Sequence, residues 1–304
     1  MLPEAKKFTI LITTKNRLDD LSFTLTKIQH LLQDKRIACV ICDDGSTDGT
    51  SEFIKANYPS IYLIRNDKSK GLIYSRNKLL HLTKTEFAIS IDDDLHFITE
   101  NPLELIEQYF EQHPKCGLVG FRIFWSTSQP SSVETKQQPH RVKSFPGGAN
   151  VWRMSAWRQI PDYPHWFIFH GEEDFASYEL FKKNIEVHYL PSVLVHHRVD
   201  LKSRKKDRDY MIRLKRSLRA GWYLFFLFYP LVKIPRLMVY TIWIQIKLKV
   251  MKGDFKALQA IVLALFDLIF SFPKILKYSN RLTIKEYNDF QKLEEVKLYW
   301  KPEN

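Results

Sequence analysis

Short apolar runs alternate with helical patterns over the first hundred residues. Four of these runs lack polar alternation, which is typical of strands covered on both faces. They are residues 8–13, 37–42, 61–65 and 87–91. Between them lie three segments with apolar positions at helical spacing, residues 18–32, 48–57 and 72–83. Strands that alternate with helices of this length form βαβ units, so the pattern predicts an α/β protein with a mainly parallel sheet.

The pattern continues less regularly up to residue 197. Helices are predicted at residues 102–112, 154–159 and 171–184, and strands at residues 117–124 and 186–197. Pro191 interrupts the last of these strands, because proline cannot donate to a sheet ladder. Residues 126–146 are polar and contain three prolines, which predicts a mobile loop.

Polar clusters follow three of the predicted strands: TTKNR (13–17), DDGS (43–46) and DDD (92–94). Ligands bind at the carboxyl ends of strands in such sheets, so the three clusters are expected at one edge. Two carboxylates 4 Å apart repel by about 4 kcal/mol at an effective dielectric near 20. A divalent cation such as Mg²⁺ or Mn²⁺ among the aspartates would offset that repulsion. The alternative is a solvated acidic turn.

The charge is unevenly distributed along the 304 residues. The whole net charge of +12 falls in residues 200–304, where 22 lysines and arginines accompany 10 aspartates and glutamates. We therefore expect two regions, residues 1–199 and 200–304. Such asymmetry indicates a nucleic-acid or anionic-membrane partner for the second region.

The basic region also contains three apolar runs, residues 222–232, 237–246 and 257–272. Prolines and charged residues, including Asp267, interrupt them, and none reaches the 18 or so uncharged residues of a spanning helix. Basic flanks beside aromatic-rich apolar faces predict helices that lie in a membrane interface. The alternative is a purely structural helical subdomain.

The cysteines and the N-terminal residues bear on location. Cys39 and Cys42 form a CxxC inside an apolar run, where their side chains would point to opposite faces of a strand. No second CxxC exists, so we expect buried structural thiols and a reducing compartment. The first residues lack a signal-peptide pattern. We expect a cytoplasmic protein, peripheral at the inner face of the cell membrane.

Six segments occur in the order and spacing of the family 2 glycosyltransferases, which have the GT-A fold. They are ITTKNR, CDDGSTDGT, GLIYSRNKLLHLTKTEFAISIDDD, GGANVWR, GEEDFASYEL and VLVHH, within residues 8–198. Residues 208–230 further resemble the tail of bacterial rhamnosyltransferase-like members. The resemblance implies a Rossmann-like GT-A domain, a UDP- or dTDP-sugar donor, a Mn or Mg ion, and a glycan or lipid-linked glycan acceptor in bacterial surface polysaccharide synthesis.

The resemblance also implies which residues bind the donor. Asp44 would accept a hydrogen bond from the imide N–H of uracil or thymine, and an ionised carboxylate is suited to this because it only accepts. Arg76 and Asn77 match an RN pair beside the donor, although Arg76 could instead pair with a nearby acid. The complete set implied for the donor is Thr13, Lys15, Arg17, Asp44, Arg76, Asn77, Asp92 and Asp93.

The metal ligands and the catalytic base follow from the same resemblance. Asp92 and Asp94 match the ends of a DxD motif, and the family's histidine ligand aligns best with His196, with His197 as the alternative. GEEDF allows two frames for the base, and Asp174 is preferred over Glu173. The plainer interpretation of these acids is that they complement the dipole of a helix N-terminus.

Three functions account for all or part of these features. A metal-dependent, inverting glycosyltransferase accounts for the motifs and for the acids at one sheet edge. A nucleotidyltransferase would need a glycine-rich phosphate loop after the first strand, and TTKNRLDD is not one. A non-enzymatic basic membrane- or nucleic-acid-binding protein explains residues 200–304 and leaves the clustered acids unexplained. We expect no nucleic-acid partner.

Overall fold

The computed structural model describes residues 6–199 and 210–302. The strands in these ranges are β1 Phe8–Thr14, β2 Ile37–Asp43, β3 Tyr62–Arg65, β4 Phe87–Asp92, β5 Leu95–Phe97, β6 Cys116–Trp125, β7 His140–Arg141, β8 Ala149–Arg153 and β9 Glu186–His197. The helices are α1 Leu18–Lys27, α2 Gln29–Leu32, α3 Thr50–Asn57, α4 Leu72–Leu82, α5 Pro102–Gln112, α6 Met154–Trp157, α7 Glu172–Lys182, α8 Tyr210–Phe228, α9 Ile234–Leu248, α10 Phe255–Tyr278 and α11 Ile284–Gln291.

The strands form one sheet in the order β3-β2-β1-β4-β8-β6-β9-β5, with β7 paired to β9. β1 to β4 are parallel, β8 runs antiparallel to both of its neighbours, and β6 is parallel to β9. This confirms the predicted α/β sheet. It also places the carboxyl ends of β1, β2 and β4 at one edge, because these strands are parallel neighbours.

Local differences from the predicted elements have physical causes. The helix expected over residues 18–32 breaks at Ile28, which has φ −96° and ψ 9°. β5 was not predicted, because a strand of three residues is too short to show a periodic pattern. Pairing between β6 and β9 jumps from Phe121↔Leu190 to Arg122↔Leu194, which leaves Pro191 and the next two residues without partners on β6. Residues 126–139 contain no helix or strand.

Helices cover both faces of the sheet, as the continuous apolar strands require. α1 and α5 bury Leu21, Leu25 and Phe110 against one face. On the other face, the apolar cluster includes Phe175 of α7 and residues of α8, such as Phe228. The cysteines at positions 39, 42 and 116 are buried and free, as expected.

α8 joins the basic region to the rest of the molecule. The ring of Phe228 lies 5.3 Å from that of Phe175 and 4.8 Å from that of Tyr178. Arg219 donates a hydrogen bond to the carbonyl oxygen of Phe167. The proposed boundary between residues 199 and 200 lies at the edge of the described residues, and the basic residues up to 208 lie outside them. The division into two regions therefore stays a prediction.

α10 is longer and more continuous than the sequence suggested. Its 24 residues make it the one described helix that is long and apolar enough, by length and composition alone, to cross a membrane. The sequence contains no uncharged run of 18 residues here, but the helix continues through Asp267 and Lys274. The interrupting Asp267 is turned towards α8, where its Oδ2 lies 3.0 Å from Arg219 Nη1 and from Lys215 Nζ. Because these two cations pair with Asp267, its charge does not interrupt the helix.

Candidate active site

A cleft of about 650 Å³ opens at the sheet edge where β1, β2 and β4 end. Its walls come from these strand ends, the start of α4, the segment before α7, the end of β9, and α8. The lining residues are Thr13, Thr14, Lys15, Arg17, Asp44, Ser69, Lys70, Gly71, Leu72, Ser75, Asp92, Asp93, Asp94, Ile168, Phe169, His197 and Arg216. The predicted convergence of the three polar clusters is thus present in the structure.

The three adjacent aspartates occupy three different environments in the tight turn between β4 and β5. Asp92 is half-buried, and its Oδ1 lies 3.1 Å from Arg76 Nη2. Asp93 is buried, accepts a hydrogen bond of 2.8 Å from Thr14 Oγ1, and has a pKa raised by burial to about 7. Burial acts in the same direction on Asp94, but His197 and Arg17 outweigh it and lower the pKa of Asp94.

Asp92, Asp94 and His197 form a group that fits a divalent cation. One potential ligand atom from each lies within 4.8 Å of the others. His197 Nε2 is 2.9 Å from Asp94 Oδ1, and Arg17 Nη2 is 2.7 Å from Asp94 Oδ2. Two carboxylates with one imidazole suit Mn²⁺ better than Mg²⁺, which prefers oxygen ligands alone.

The preference for His196 as the metal ligand is not supported by this geometry. His196 is paired with His96 across β5 and β9, and its Nε2 donates a hydrogen bond of 2.8 Å to the Ser126 carbonyl oxygen. Its ring lies 5.1 Å from His96 and 5.5 Å from Phe124. Successive side chains of a strand point to opposite faces, so only one of the two histidines can reach the cleft. That residue is His197.

Gly147 and Gly148 let the chain pass closely over the acidic side chains. A Cβ at position 148 would lie 1.9 Å from Asp92 Oδ2. A Cβ at position 147 would lie 2.1 Å from Glu173 Oε1 and 2.6 Å from Arg76 Nη1. No side chain fits at either position without displacing these groups.

Arg76 connects the aspartate turn to the start of α7. Its guanidinium is buried, with Nη1 2.9 Å from Glu172 Oε1 and 3.7 Å from Glu173 Oε1. It therefore pairs with nearby acids, which was the plainer expectation for this residue. It does not line the main cleft, so a direct donor contact stays a prediction.

The two candidate bases differ in their surroundings. Glu173 lies beside Arg76 and Gly147 and keeps 24% of its side chain exposed. Burial and the neighbouring Glu172 raise the pKa of Glu173 well above its ordinary value. The side chain of Asp174 is exposed at the surface. Desolvation by the neighbouring protein atoms nevertheless raises its pKa, and a hydrogen bond with Ser144 opposes that shift. Glu173 shares Arg76 with Asp92, whereas Asp174 does not contact that arginine, and the choice between the two candidate bases stays a prediction.

Asp44 and Asn77 hold backbone segments in this structure. Asp44 accepts hydrogen bonds of 2.8 Å and 2.9 Å from the backbone N–H groups of Lys70 and Gly71, and others from Asn66, Ser69 and Ser75. A nucleobase N–H would have to replace one of these donors.

The amide of Asn77 makes both of its hydrogen bonds to the backbone of Tyr163, at 2.8 Å and 3.0 Å. Asn77 is buried outside the cleft, so its predicted donor contact is not supported. Thr13, Lys15 and Arg17 all line the cleft as expected, although the guanidinium of Arg17 is occupied by the acidic turn.

Sequence reasoning missed four features of the site: the glycine pair, the buried Glu172, the segment Ile168–Phe169 and Arg216. The sequence does contain GG before a strand, which is a signal for close backbone approach. Ile168 has φ 70°, which is unusual for a β-branched residue. Arg216 comes from a helix far along the chain, and no local pattern could have placed it here.

Residues 9–170 match the family described as Glycosyl transferase family 2, and the chain belongs to this family. The uncharacterized glycosyltransferase YfnE of Bacillus subtilis is 25% identical over 141 residues, which are 43% of this chain and 35% of that protein. An uncharacterized protein of Methanocaldococcus jannaschii is 37% identical over 78 residues, 23% of this chain and 34% of its own length. The chain thus spans about a third of the length of these curated relatives.

Two solved structures show that the fold is GT-A. GalNAc-T7 with UDP, GalNAc and Mn²⁺ superposes with a TM-score of 0.60 at 13% identity, covering 89% of this chain and 58% of that one. The mannosyltransferase PcManGT of Pyrobaculum calidifontis, with GDP-Man and Mn²⁺, superposes with a TM-score of 0.55 at 14% identity. This second match covers 94% of this chain and 79% of the other, so it extends into the C-terminal helices.

Proposed function

We propose that the protein is a metal-dependent, inverting glycosyltransferase that moves a sugar from a UDP- or dTDP-sugar to a hydroxyl of a glycan or lipid-linked glycan. The observation that carries this proposal is the group Asp92, Asp94 and His197 at the wall of a cleft large enough for a sugar nucleotide. The family membership supports it, as do the UDP, GalNAc and Mn²⁺ of one GT-A structure and the GDP-Man and Mn²⁺ of the other.

In this proposal Asp92, Asp94 and His197 hold a divalent cation, which when bound neutralises charge on the diphosphate. Arg17 keeps Asp94 oriented, and Thr14 keeps Asp93 in place. Lys15 and Lys70 are exposed at the cleft and can approach the phosphates. The chain segment from Ser69 to Gly71, fixed by Asp44, forms the floor beneath the nucleoside.

The transfer itself needs a carboxylate base. The acceptor oxygen forms a bond to the anomeric carbon, and the bond from that carbon to the diphosphate oxygen breaks with its electron pair leaving on the nucleoside diphosphate. The acceptor proton passes to Glu173, or to Asp174 in the alternative frame. A raised carboxyl pKa suits this role, because it makes the ionised group a stronger base.

The proposed location is the cytoplasmic face of the cell membrane, and the proposed pathway is bacterial surface polysaccharide synthesis. α9 and α10 expose large apolar side chains, among them Trp243, Phe266 and Phe270, beside exposed lysines. Such a surface fits a peripheral enzyme whose acceptor is lipid-linked.

A panel of sugar nucleotides tests the activity. The full chain is mixed with UDP-, dTDP- and GDP-sugars with Mn²⁺, with Mg²⁺, or with a chelator, and release of the nucleoside diphosphate is measured. We expect slow, Mn²⁺-dependent hydrolysis of a UDP- or dTDP-sugar, lost in Asp94→Asn. A folded protein that neither binds nor turns over any of these donors would contradict the proposal.

A further inference from the structure

Arg216 of α8 is a cationic side chain on the wall of the donor cleft. It is half-buried there, on the same cavity as Asp92, Asp94 and His197. Among residues 6–199 and 210–302 it has neither a hydrogen bond nor an ion pair. Two neighbours on its helix behave differently, since Lys215 and Arg219 both pair with Asp267.

The position of Arg216 is fixed by the packing of α8. Three residues further on, Arg219 bonds to the carbonyl oxygen of Phe167 and to Asp267. The ring of Tyr223 lies 5.3 Å from Phe167 and 5.2 Å from Trp166. Positions three and four apart share one face of a helix, so these contacts direct Arg216 towards the segment that precedes α7.

A second observation places the same guanidinium at the lip of the cleft. The charges of Arg216 and Arg213 both act on His170, whose pKa is lowered mainly by burial. His170 follows directly after Phe169, a lining residue of the cleft. Arg216 therefore lines the donor cleft close to the segment that precedes α7.

The charges of the cleft leave a role for such a cation. Arg17 is already engaged by Asp93 and Asp94, so it contributes little positive charge to a ligand. A diphosphate bound near Asp92 and Asp94 adds anionic charge, and the leaving diphosphate gains more when its bond to the sugar breaks. A divalent cation balances only part of this total. A guanidinium matches phosphate oxygens in geometry as well as in charge.

We propose that Arg216 binds the diphosphate of the donor and stabilises the leaving nucleoside diphosphate. This inference rests on the proposed function. It makes α8, which lies beyond the family match at residues 9–170, a structural part of the donor site. The catalytic region would then need the C-terminal helices for donor binding as well as for any membrane contact.

Binding of UDP, UMP and uridine, and of the thymidine series, to the full chain with Mn²⁺ tests the assignment. Calorimetry on wild type, Arg216→Gln and Lys215→Gln separates the contributions. One charge-assisted hydrogen bond corresponds to about a tenfold to a hundredfold change in affinity. We expect Arg216→Gln to lose that factor for the diphosphates, less for the monophosphates, and none for the nucleosides, with Lys215→Gln equal to wild type.

Two results would overturn the inference in different ways. If wild type binds the diphosphates and Arg216→Gln binds them equally well, or loses nucleoside affinity to the same extent, the role of Arg216 is refuted while the proposed function stands. If wild type binds no nucleotide of either series, the proposed function fails and this inference fails with it. Arg216→Lys keeps the positive charge but lacks the paired N–H donors of a guanidinium, so it should bind the diphosphates more tightly than Arg216→Gln and less tightly than wild type.

Discussion

At the scale of single residues, neighbours in the sequence have opposite environments at this site. Burial raises the pKa of the Asp93 carboxyl, whereas His197 and Arg17 lower the pKa of the adjacent Asp94. Among the acids of α7, Glu172 is buried against Arg76 while Asp174 reaches solvent. If a motif is aligned one residue out of place, a role in binding is assigned to a residue that only supports the structure. Alignment alone therefore cannot decide between adjacent residues.

The two histidines at the end of β9 give a matched pair of substitutions. We expect His197→Gln to weaken Mn²⁺ binding by about tenfold or more, because it removes a nitrogen beside Asp94. His196→Gln keeps a donor for the Ser126 carbonyl and should leave Mn²⁺ affinity unchanged, with a loss of stability of about 1–3 kcal/mol. Metal titrations on both variants, with melting curves, provide the check. Equal metal affinity in His197→Gln and wild type would remove this histidine from the site.

The base is identified by comparing Glu173→Gln with Asp174→Asn. We expect Glu173→Gln to lower kcat by about 10²–10⁴ without loss of donor affinity, because a base acts in the chemical step alone. Asp174→Asn should retain most activity, since Asp174 lies on the Ser144 side of the helix. Single-turnover assays with saturating donor make the measurement. The reverse ranking would identify Asp174, the residue preferred from the sequence, as the base.

The pH dependence of the wild-type enzyme follows from the same carboxyl group. A base must be ionised, so activity is present above its pKa and is lost as the pH falls through it. Because the pKa of Glu173 is raised, the acid limb of kcat/KM should lie well above the value of about 4.3 of an ordinary glutamate. The limb should disappear in Glu173→Gln, while donor binding measured over the same range serves as the control. A limb near the ordinary value would exclude Glu173.

At the scale of elements, the strands and the helices between them were predictable because each is a continuous periodic segment. The site was predictable as far as parallel strands bring their ends together, as with TTKNR, DDGS and DDD. The sequence alone does not predict contacts that depend on how distant segments pair or pack. His197 faces the cleft because of how β9 pairs with β5, and β5 has only three residues. The glycine pair is required by Asp92 and Glu173, which lie far from it in the chain.

The turn before β8 offers a steric test of this arrangement. We expect Gly148→Ala to lower Mn²⁺-dependent donor binding and to cost about 1–3 kcal/mol of stability, since its Cβ would lie 1.9 Å from Asp92 Oδ2. Gly221→Ala is the control, because it lies inside α8 with nothing within 4 Å of an added Cβ. It should raise stability by about 0.5–1 kcal/mol and leave binding intact. Calorimetric binding and thermal melting of the two variants separate the outcomes, and unchanged donor binding in Gly148→Ala would refute the close-approach argument.

At the scale of the whole molecule, charge and apolar surface are segregated in the same region. Residues 200–304 carry the entire net charge, and α9 and α10 carry many of the most exposed large apolar side chains. The acid that interrupts α10, Asp267, points inward to Lys215 and Arg219. The outer face of α10 is left apolar as a result, and α8 links that face to the donor cleft.

The last prediction is that this outer face binds an anionic membrane without crossing it. Phe266, Ile269 and Phe270 are 52%, 65% and 81% exposed, and burial of such side chains favours the bilayer by up to about 1.5–3 kcal/mol each. Lys274 and Lys277 lie about one and two turns further on, and each cation near an anionic leaflet adds about 1 kcal/mol. We expect the full chain to float with vesicles containing phosphatidylglycerol and to be partly released by alkaline carbonate.

Two multiple variants separate the apolar from the electrostatic contribution to that binding. Phe266→Gln with Ile269→Gln and Phe270→Gln should abolish flotation at every salt concentration, because it removes the buried area. Lys274→Gln with Lys277→Gln should weaken flotation at low salt only, because salt screens the charges of the wild type as well. Neither variant should change donor hydrolysis in solution, since these side chains lie away from the cleft. Resistance of the wild type to carbonate would instead mean that α10 crosses the membrane. A wild type that sediments as a dimer and ignores anionic vesicles would mean that a second copy covers this face.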